Sequence, residues 1–561
     1  MEPLKNQNPS SDDANNTVNT HSVFNQSQAL ENTNLFDDDI ALQQALTSYA
    51  PGAALDALRD YGQRCGSAEV IAWGFDANEQ KPQFDSHDRF GHRVDEVRFH
   101  PSYHKLMKMA LEQGIHAMPW QGDIAQAHTQ RAAYSYMQSQ VEAGHGCPLT
   151  MTFASVPTLN LTPSIAKQWL PKVLAQGYEP ENKPYFEKQA VTIGMGMTEK
   201  QGGSDVRANT SVARAVGAQG PGELYEITGH KWFLSAPMCD AFLMLAQSAG
   251  GLSCFLVPRW RPDGEKNSLF VQRLKNKMGN VSNASSEVEM RAAQGWMVGE
   301  EGRGVPAIIE MVALTRFDCM VGSTAGQRQA VAQAAHHASQ REAFGKRLIE
   351  QPLMQNVLAD LQLEVEGSLA MTLRMAAALD AKTDDEKLLL RLGCAVGKFW
   401  ICKRTPGHAY EAMECLGGNG VIENCIMPRL YREAPINAIW EGSGNIQALD
   451  VLRAFNKSPE VQQRWFTELE QVRGQSAVLD QSIDSLRHSL ADRDGVEYAA
   501  RRLVEQMALC LQAALLLKNG DPVVAEAFIA SRLQQPHGLY GCLPKGVDVA
   551  HIVRRILPER L

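Results

Sequence analysis

One carboxylate is singled out by its neighbours in INAIWEGSGNIQALDVLR, Ile436 to Arg453. Glu441 follows Ile439 and Trp440 and precedes Gly442, Ser443 and Gly444, which places it at the mouth of a helix rather than on a charged face. A carboxylate desolvated in this way holds its proton more tightly, and a base of raised pKa suits abstraction of a proton next to a carbonyl. A glutamate that merely caps the helix would look the same locally, so this stretch alone leaves both readings open. Arg453, further along the same helix, is spaced to reach back and pair with Glu441, which would lower that pKa.

Three other stretches carry side chains suited to a ligand. In GMGMTEKQGGSDV, Gly194 to Val206, the paired Gly202 and Gly203 let backbone N–H groups approach a phosphate or ring, and Thr198 and Ser204 add hydroxyls. In GHKWFLSAP, Gly229 to Pro237, Trp232 and Phe233 offer a wall for a planar group, with Ser235 at its edge. SQREAFGKRL, Ser339 to Leu348, and ECLGGNGV, Glu414 to Val421, pair a helical Arg341 with a glycine loop over Gly417–Gly420, a combination suited to a pyrophosphate and an adenine. Each has a plainer alternative: a polar turn, a buried barrel strand, a solvated helix charge, a helix cap.

The elements that must position these residues are legible from periodicity. Residues 1–35 are rich in Asn, Ser, Asp and Gln and read as a flexible tail. Residues 36–190 read as a first helical domain, and 191–299 as a β-domain, because ELYEITG, FLMLAQS, SCFLVPR and SSEVEMR alternate apolar and polar residues between turn signals. Residues 300–457 read as a helical bundle in which Leu353, Val357, Leu361, Val365 and Leu369 line one face, and 458–561 as a further helical domain. The order makes an α+β protein of separate layers.

Composition narrows the function. With 54 Lys and Arg against 63 Asp and Glu the net charge is −9, so no global charge draws the chain to nucleic acid. The 11 cysteines form no C-x-x-C pair or Cys/His cluster at zinc spacing, and no metal site is expected. The N-terminus lacks a signal-peptide pattern and no long apolar run occurs, so a cytoplasmic protein without membrane contact is expected. The histidines, including His336, His337 and the HDRFGHR run from His87, read as surface or packing residues.

In order and spacing the four stretches resemble the acyl-CoA dehydrogenase family, over about Ile193 to Phe455: MTEKQGGSD resembles its flavin loop, GHKWFLS its flavin-flanking strand, REAFGKRL and GGNGV its adenosine-diphosphate elements, and IWEGSGNIQ its catalytic turn. The resemblance implies non-covalent FAD, an N-terminal helical domain, a middle β-barrel, a C-terminal four-helix bundle, and a homotetramer in which a neighbouring copy completes each FAD site. Carried onto this sequence, it implies FAD contacts from Met195, Gly196, Met197, Thr198, Gly202, Gly203 and Ser204, and from Phe233, Leu234 and Ser235, with the Ser235 hydroxyl against flavin N5. It implies further contacts from Arg341, Phe344, Gly417, Gly418, Ile439, Trp440, Gly442, Ser443 and Asn445, and it makes Glu441 the base that removes the proton α to an acyl-CoA thioester. Two departures stand out. The D-x-x-R pair that contacts coenzyme A in many members keeps Arg316 but has Ala313 at the acidic position, and Pro352 replaces a common Gln.

Around this core, VRFHPSYHKLM, QVEAGHGCPLTMTFAS, TRFDC and a C-terminal extension of about 100 residues resemble a subgroup tied to the adaptive response to DNA alkylation. That resemblance implies weak, isovaleryl-CoA-like dehydrogenase activity, sequence-independent binding of double-stranded DNA through the C-terminal domain, protection of that DNA, and disposal of alkylating agents. Charge alone does not carry the DNA reading, because residues 458–561 hold 12 Lys and Arg against 13 Asp and Glu. The local basic candidates are Arg453, Lys457, Arg501, Arg502, Lys518, Arg554 and Arg555, with Arg464 and Arg473 as further ones. The alternative is a metabolic short- or branched-chain acyl-CoA dehydrogenase whose extension serves oligomerisation.

Overall fold

The computed structural model describes residues 21–122, 124–492 and 494–558. The expected tail therefore lies partly outside the described residues, and the part inside them is not loose. Asn25 and Glu342 exchange two hydrogen bonds of 2.7 and 2.8 Å, the Gln28 amide donates to Gln340 at 2.9 Å, and Leu30 and Thr33 are buried. This corrects the boundary at residue 35. Composition missed it because these Asn and Gln side chains order the segment by bonding to the bundle, which adds to the burial of the single Leu30.

Seven helices make up most of the first region, among them Pro101–Glu112, Ala127–Val141 and Gly146–Leu159. An antiparallel hairpin of β1 (Gln83–His87) and β2 (Arg93–Arg98), unforeseen in the periodicity, interrupts them and carries the HDRFGHR run in its turn.

The middle region is a closed barrel of β3 (Ile193–Gly196), β4 (Val212–Ala215), β5 (Leu224–Ser235), β6 (Ala241–Ser248), β7 (Gly251–Pro258), β8 (Leu269–Leu274) and β9 (Ser285–Val298). The strand path β3-β6-β4-β5-β9-β7 closes through pairing of β6 with β7, while β8 adds to β9. β6 is apolar on both faces because one lines the barrel and the other meets the helices, so its first six residues are all buried. Inside the barrel, Lys231 Nζ donates to Glu199 Oε1 at 2.9 Å, with both side chains fully buried.

The bundle consists of the helices Gly304–Gln340, Pro352–Ala381, Asp384–Glu414 and Gly444–Lys457. Leu361, Val365 and Leu369 are buried as the stripe predicts, Val357 partly so, but Leu353 is 82% exposed because this chain does not cover the first turn of its helix. The C-terminal helix Val496–Asn519 packs on three of the bundle helices. Buried ion pairs tie the extension down: Arg374 to Glu468 at 2.7 Å, Arg532 to Asp360 at 2.6 Å and Arg555 to Glu366 at 2.8 Å. One apolar core thus runs through the first region, the bundle and the extension, and a second fills the barrel and the helices against it. The α+β order of helical regions around a barrel stands as expected, and the extension is tied to the bundle by charges that a sequence count treats as solvated. Among the described residues no helix is long and apolar enough to cross a membrane, and no group of three or more His, Cys, Asp or Glu could hold a metal ion.

Candidate active site

Met195 and Gly196 end β3, and Met197 to Ser204 form the loop that follows. Glu199 does not face a ligand. Its carboxylate points into the barrel, where it accepts from Lys231, from the Thr210 amide at 2.7 Å and from the Ser211 amide at 3.2 Å, which fixes the loop's base. The Trp232 amide donates to the Thr198 carbonyl at 2.9 Å, tying the loop to β5. Gly203 is required by packing, since a Cβ there would stand 2.3 Å from Thr198 Oγ1, whereas Gly202, at φ +125°, opens onto free space.

At the end of β5 the alternation of a strand divides the expected contacts. Phe233 is 48% exposed with Lys275 Nζ 4.6 Å from its ring centre, and Ser235 also faces outward, but Leu234 between them is buried in the barrel. Leu234, expected among the FAD contacts, can offer a ligand its backbone only.

The Glu441 turn is fastened by its own main chain. Arg316 Nε and Gln447 Nε2 donate to the Glu441 carbonyl at 3.1 and 3.0 Å, and Lys398 Nζ and Gln447 Nε2 to the Gly442 carbonyl, both at 2.9 Å. These donors hold Glu441 at φ +57°, a left-handed conformation that costs a non-glycine residue about 1–3 kcal/mol. The carboxylate is left to the site, where Oε2 accepts from Thr315 Oγ1 at 2.9 Å. Burial raises the Glu441 pKa above the ordinary carboxylate value, while Thr315, Lys398 and Arg316 pull it back. Arg453 takes no part. It is exposed, and Arg316 is the arginine beside Glu441. Arg316 is itself ion-paired to Asp450 at 2.8 Å, so it serves the turn rather than standing free for coenzyme A.

Thr315→Val should remove one influence that lowers the Glu441 pKa. The acidic limb of the kcat/KM profile is then expected to move to higher pH than in wild type, as read from activity against pH.

Residues that the motifs did not flag complete the surroundings. Lys277, in the β8–β9 connection, donates to the Asn283 carbonyl at 2.7 Å and to Ser285 Oγ at 3.0 Å, and Ser285 Oγ lies 3.0 Å from Ser235 Oγ. Cys147 hydrogen-bonds with Ser235 and lies within electrostatic reach of Glu441 and Lys277. Burial raises the Cys147 thiol to about 11 and lowers the Lys277 ammonium to about 8, the latter opposed by Cys147, Glu433 and Glu142. No linear motif could reveal this group, because its members come from a helix, a strand end and a loop far apart in the chain.

Arg341 caps the helix Gly304–Gln340 at its C-terminus and donates to the Asn25 carbonyl, while Asn419, in the glycine loop, donates to Gln26 at 3.1 Å. Residues 25 and 26 thus bridge Arg341 to the Gly417–Gly420 loop. Around them Phe344 is almost fully exposed and Ile439 largely so, and Gly417 and Gly418 have open space where a Cβ would sit. Trp440 donates to Asn437 at 2.8 Å, and Ser443 and Asn445 lie exposed where the helix Gly444–Lys457 begins.

Of the expected DNA contacts, Arg453, Lys457, Arg501, Arg502, Lys518 and Arg554 are exposed, Lys518 donating to Gln471 at 2.7 Å. Arg555 is corrected. It is buried and bonded to Glu366 and Asp521. Arg464 and Arg473 are likewise held in ion pairs, with Glu468 at 2.9 Å and Glu470 at 2.7 Å.

The donor set fits a flavin dinucleotide. Hydroxyls of Thr198, Ser204 and Ser235 and the exposed ring of Phe233 are of the kind a flavin ring needs, and Arg341 with the unobstructed Gly417 and Gly418 are of the kind a pyrophosphate and adenine need.

Comparison with known proteins agrees. Three family models match: the adaptive response protein AidB N-terminal domain over residues 25–180, the acyl-CoA dehydrogenase middle domain over 194–293, and the acyl-CoA dehydrogenase C-terminal domain over 302–455. The putative acyl-CoA dehydrogenase AidB of Escherichia coli (strain K12) is 44% identical over 523 residues, 93% of this chain and 96% of that protein. Acyl-CoA dehydrogenase family member 11 of Caenorhabditis elegans is 28% identical over 504 residues, 86% of this chain and 79% of that protein. The crystal structure of Caenorhabditis elegans ACDH-11 in complex with C11-CoA shares the fold, with a TM-score of 0.83 at 24% identity over 96% of this chain and 94% of that one. The chain, with a desolvated glutamate on a strained turn beside a flavin-fitting barrel rim, belongs to the acyl-CoA dehydrogenase family in its AidB branch, as an FAD-dependent oxidoreductase acting on CH–CH groups.

Proposed function

We propose that this flavoprotein acts in the response to DNA alkylation, binding double-stranded DNA without sequence preference while retaining weak dehydrogenase activity on short or branched acyl-CoA thioesters. The observation that carries the catalytic half is Glu441, a carboxylate of raised pKa whose main chain is held by Arg316, Gln447 and Lys398 and whose Oε2 is aimed by Thr315. In this reading Glu441 removes the proton α to the thioester, and Thr315 keeps the carboxylate oriented for it. The bound FAD supplies the two-electron acceptor. Thr198, Ser204, Phe233 and Ser235 hold its flavin end, Arg341, Gly417 and Gly418 its adenosine end, and Ser443 and Asn445 add contacts at the helix start. The exposed Phe344, Leu353, Val421 and Ile439 support assembly of copies into a homotetramer, since apolar side chains so open to water favour a partner surface.

For DNA, Arg453 and Lys457 lie one turn apart on the helix Gly444–Lys457, and Arg501 and Arg502 lie on the helix Val496–Asn519 that packs against it. All four are exposed, and they form the phosphate-binding set of this reading. Their contribution is electrostatic, so affinity falls steeply as salt rises. A mobility-shift titration of duplex DNA across salt concentrations, run beside an acyl-CoA turnover screen, tests both halves. Arg501→Ala with Arg502→Ala is expected to weaken binding equally for unrelated sequences and to reduce the salt slope by about 2. Brisk turnover without DNA binding would instead favour a metabolic dehydrogenase whose extension serves assembly, a reading that draws on the core shared by extension and bundle.

A further inference from the structure

The three side chains Lys277, Ser285 and Ser235 form an unbroken hydrogen-bonded line that ends at the barrel rim. Its direction follows from elementary donor rules. An ammonium donates and cannot accept, so Ser285 Oγ accepts a hydrogen bond from Lys277, and the positive charge turns the Ser285 hydroxyl dipole away from it. Lys277 is in that form at neutral pH, being an ammonium up to about 8. The remaining side-chain partner of Ser285 is Ser235 Oγ at 3.0 Å, which therefore accepts, leaving the Ser235 proton to point onward. The thiol of Cys147 is the other group at Ser235, and sulfur is a weak acceptor that a better one displaces.

We propose that Lys277 is a positioning residue which, through Ser285, fixes the Ser235 hydroxyl as a hydrogen-bond donor to the flavin. This rests on the reading that Ser235 borders the flavin ring, and goes beyond it by assigning the donor's direction to a lysine and a serine outside the family motifs. Lys277 is otherwise hard to explain, because a partly buried lysine spent on a carbonyl and a hydroxyl, with no carboxylate bonded to it among the described residues, gains little for the fold. A hydroxyl held as a donor to N5 meets the two redox forms differently, because N5 offers a free lone pair in the oxidised ring and carries a hydrogen in the reduced one, so fixing its direction changes the balance between them.

The flavin midpoint potential of the FAD-loaded protein at neutral pH tests this, with FAD content measured from absorbance on the same samples. Lys277→Met and Ser285→Ala are each expected to keep FAD and to change the equilibrium constant for two-electron reduction about tenfold, a shift of about 30 mV. Because both break one line, the double variant should show no more than the larger single shift. Wild-type potentials in FAD-loaded single variants, or shifts that sum in the double variant, would overturn the proposal. Ser285→Ala decides alone if Lys277→Met fails to fold. A wild-type chain that takes up no flavin at all would overturn the underlying reading along with the relay, whereas normal flavin uptake with unmoved potentials overturns the relay only.

Discussion

Glu441→Gln is expected to lower kcat for acyl-CoA dehydrogenation by about 10²–10⁴-fold or more while leaving FAD bound, as measured by turnover beside flavin absorbance. The amide keeps the size of the side chain and can still meet Thr315 Oγ1, but it cannot take a proton from carbon. The fastenings of the turn are main-chain contacts from Arg316, Lys398 and Gln447, so the substitution leaves the geometry in place. Full activity in this variant would remove Glu441 from the reaction.

The same variant carries a signature in stability. Burial raises the folded-state pKa of Glu441 above its unfolded value, so between those two values the folded protein holds a proton that the unfolded chain has released. Wild-type stability from this group is therefore lost as pH rises through the folded value. Glutamine has no such loss. The variant should match wild type below the ordinary carboxylate range and exceed it at neutral pH, and thermal melts at about pH 3 and about pH 7 would show this. A difference that does not change with pH would contradict the assignment.

Asp318→Asn is expected to be among the most damaging single changes to the fold. Arg131 and Asp318 form a two-pronged pair, both bonds 2.6 Å, with side chains only 1% and 6% exposed. Thr150 Oγ1 adds a 2.6 Å bond to the same carboxylate, and Arg131 Nε donates to the Ile115 carbonyl at 2.7 Å. Removing one charge strands the other out of water, a loss of about 3–5 kcal/mol, whereas replacing both with apolar residues of similar size is close to neutral. Urea midpoints should therefore fall sharply in Asp318→Asn and in Arg131→Met, and recover most of the way in Arg131→Met with Asp318→Leu. Asp318 lies on the helix that carries Thr315 and Arg316, so the pair also bears on the catalytic turn. The single variants should lose activity at temperatures where the fold still stands.

The motifs were legible where local chemistry is self-contained. GGSD marks an exposed polar loop at the barrel, and the Glu441 stretch carries its carboxylate, its tight turn and its helix start within a few residues. Gln447, six positions after Glu441, lay inside a quoted motif without its role showing, because the hydrogen bonds back to two carbonyls exist only once the helix has turned. Arg316 was read as a remnant of a coenzyme A pair. Asp450, which also bonds Arg391 at 2.7 Å, holds it elsewhere.

Charge misled most in the extension. Arg464, Arg473 and Arg555 count the same in a sequence as Arg501 and Arg502, but the first three are bound to carboxylates. The net balance of the segment holds no information about that division.

By itself the sequence determined the family and the barrel between helical regions, since each depends on motifs or periodicity within stretches close together in the chain. Only the tertiary structure decided which charges remain free, that residues from Asn25 onward are tied to the bundle, and that Cys147, Lys277 and Ser285 gather beside Ser235. Those outcomes depend on distances between residues remote in sequence, and a hydrogen bond or ion pair is set by a separation of about 3 Å that no local pattern encodes.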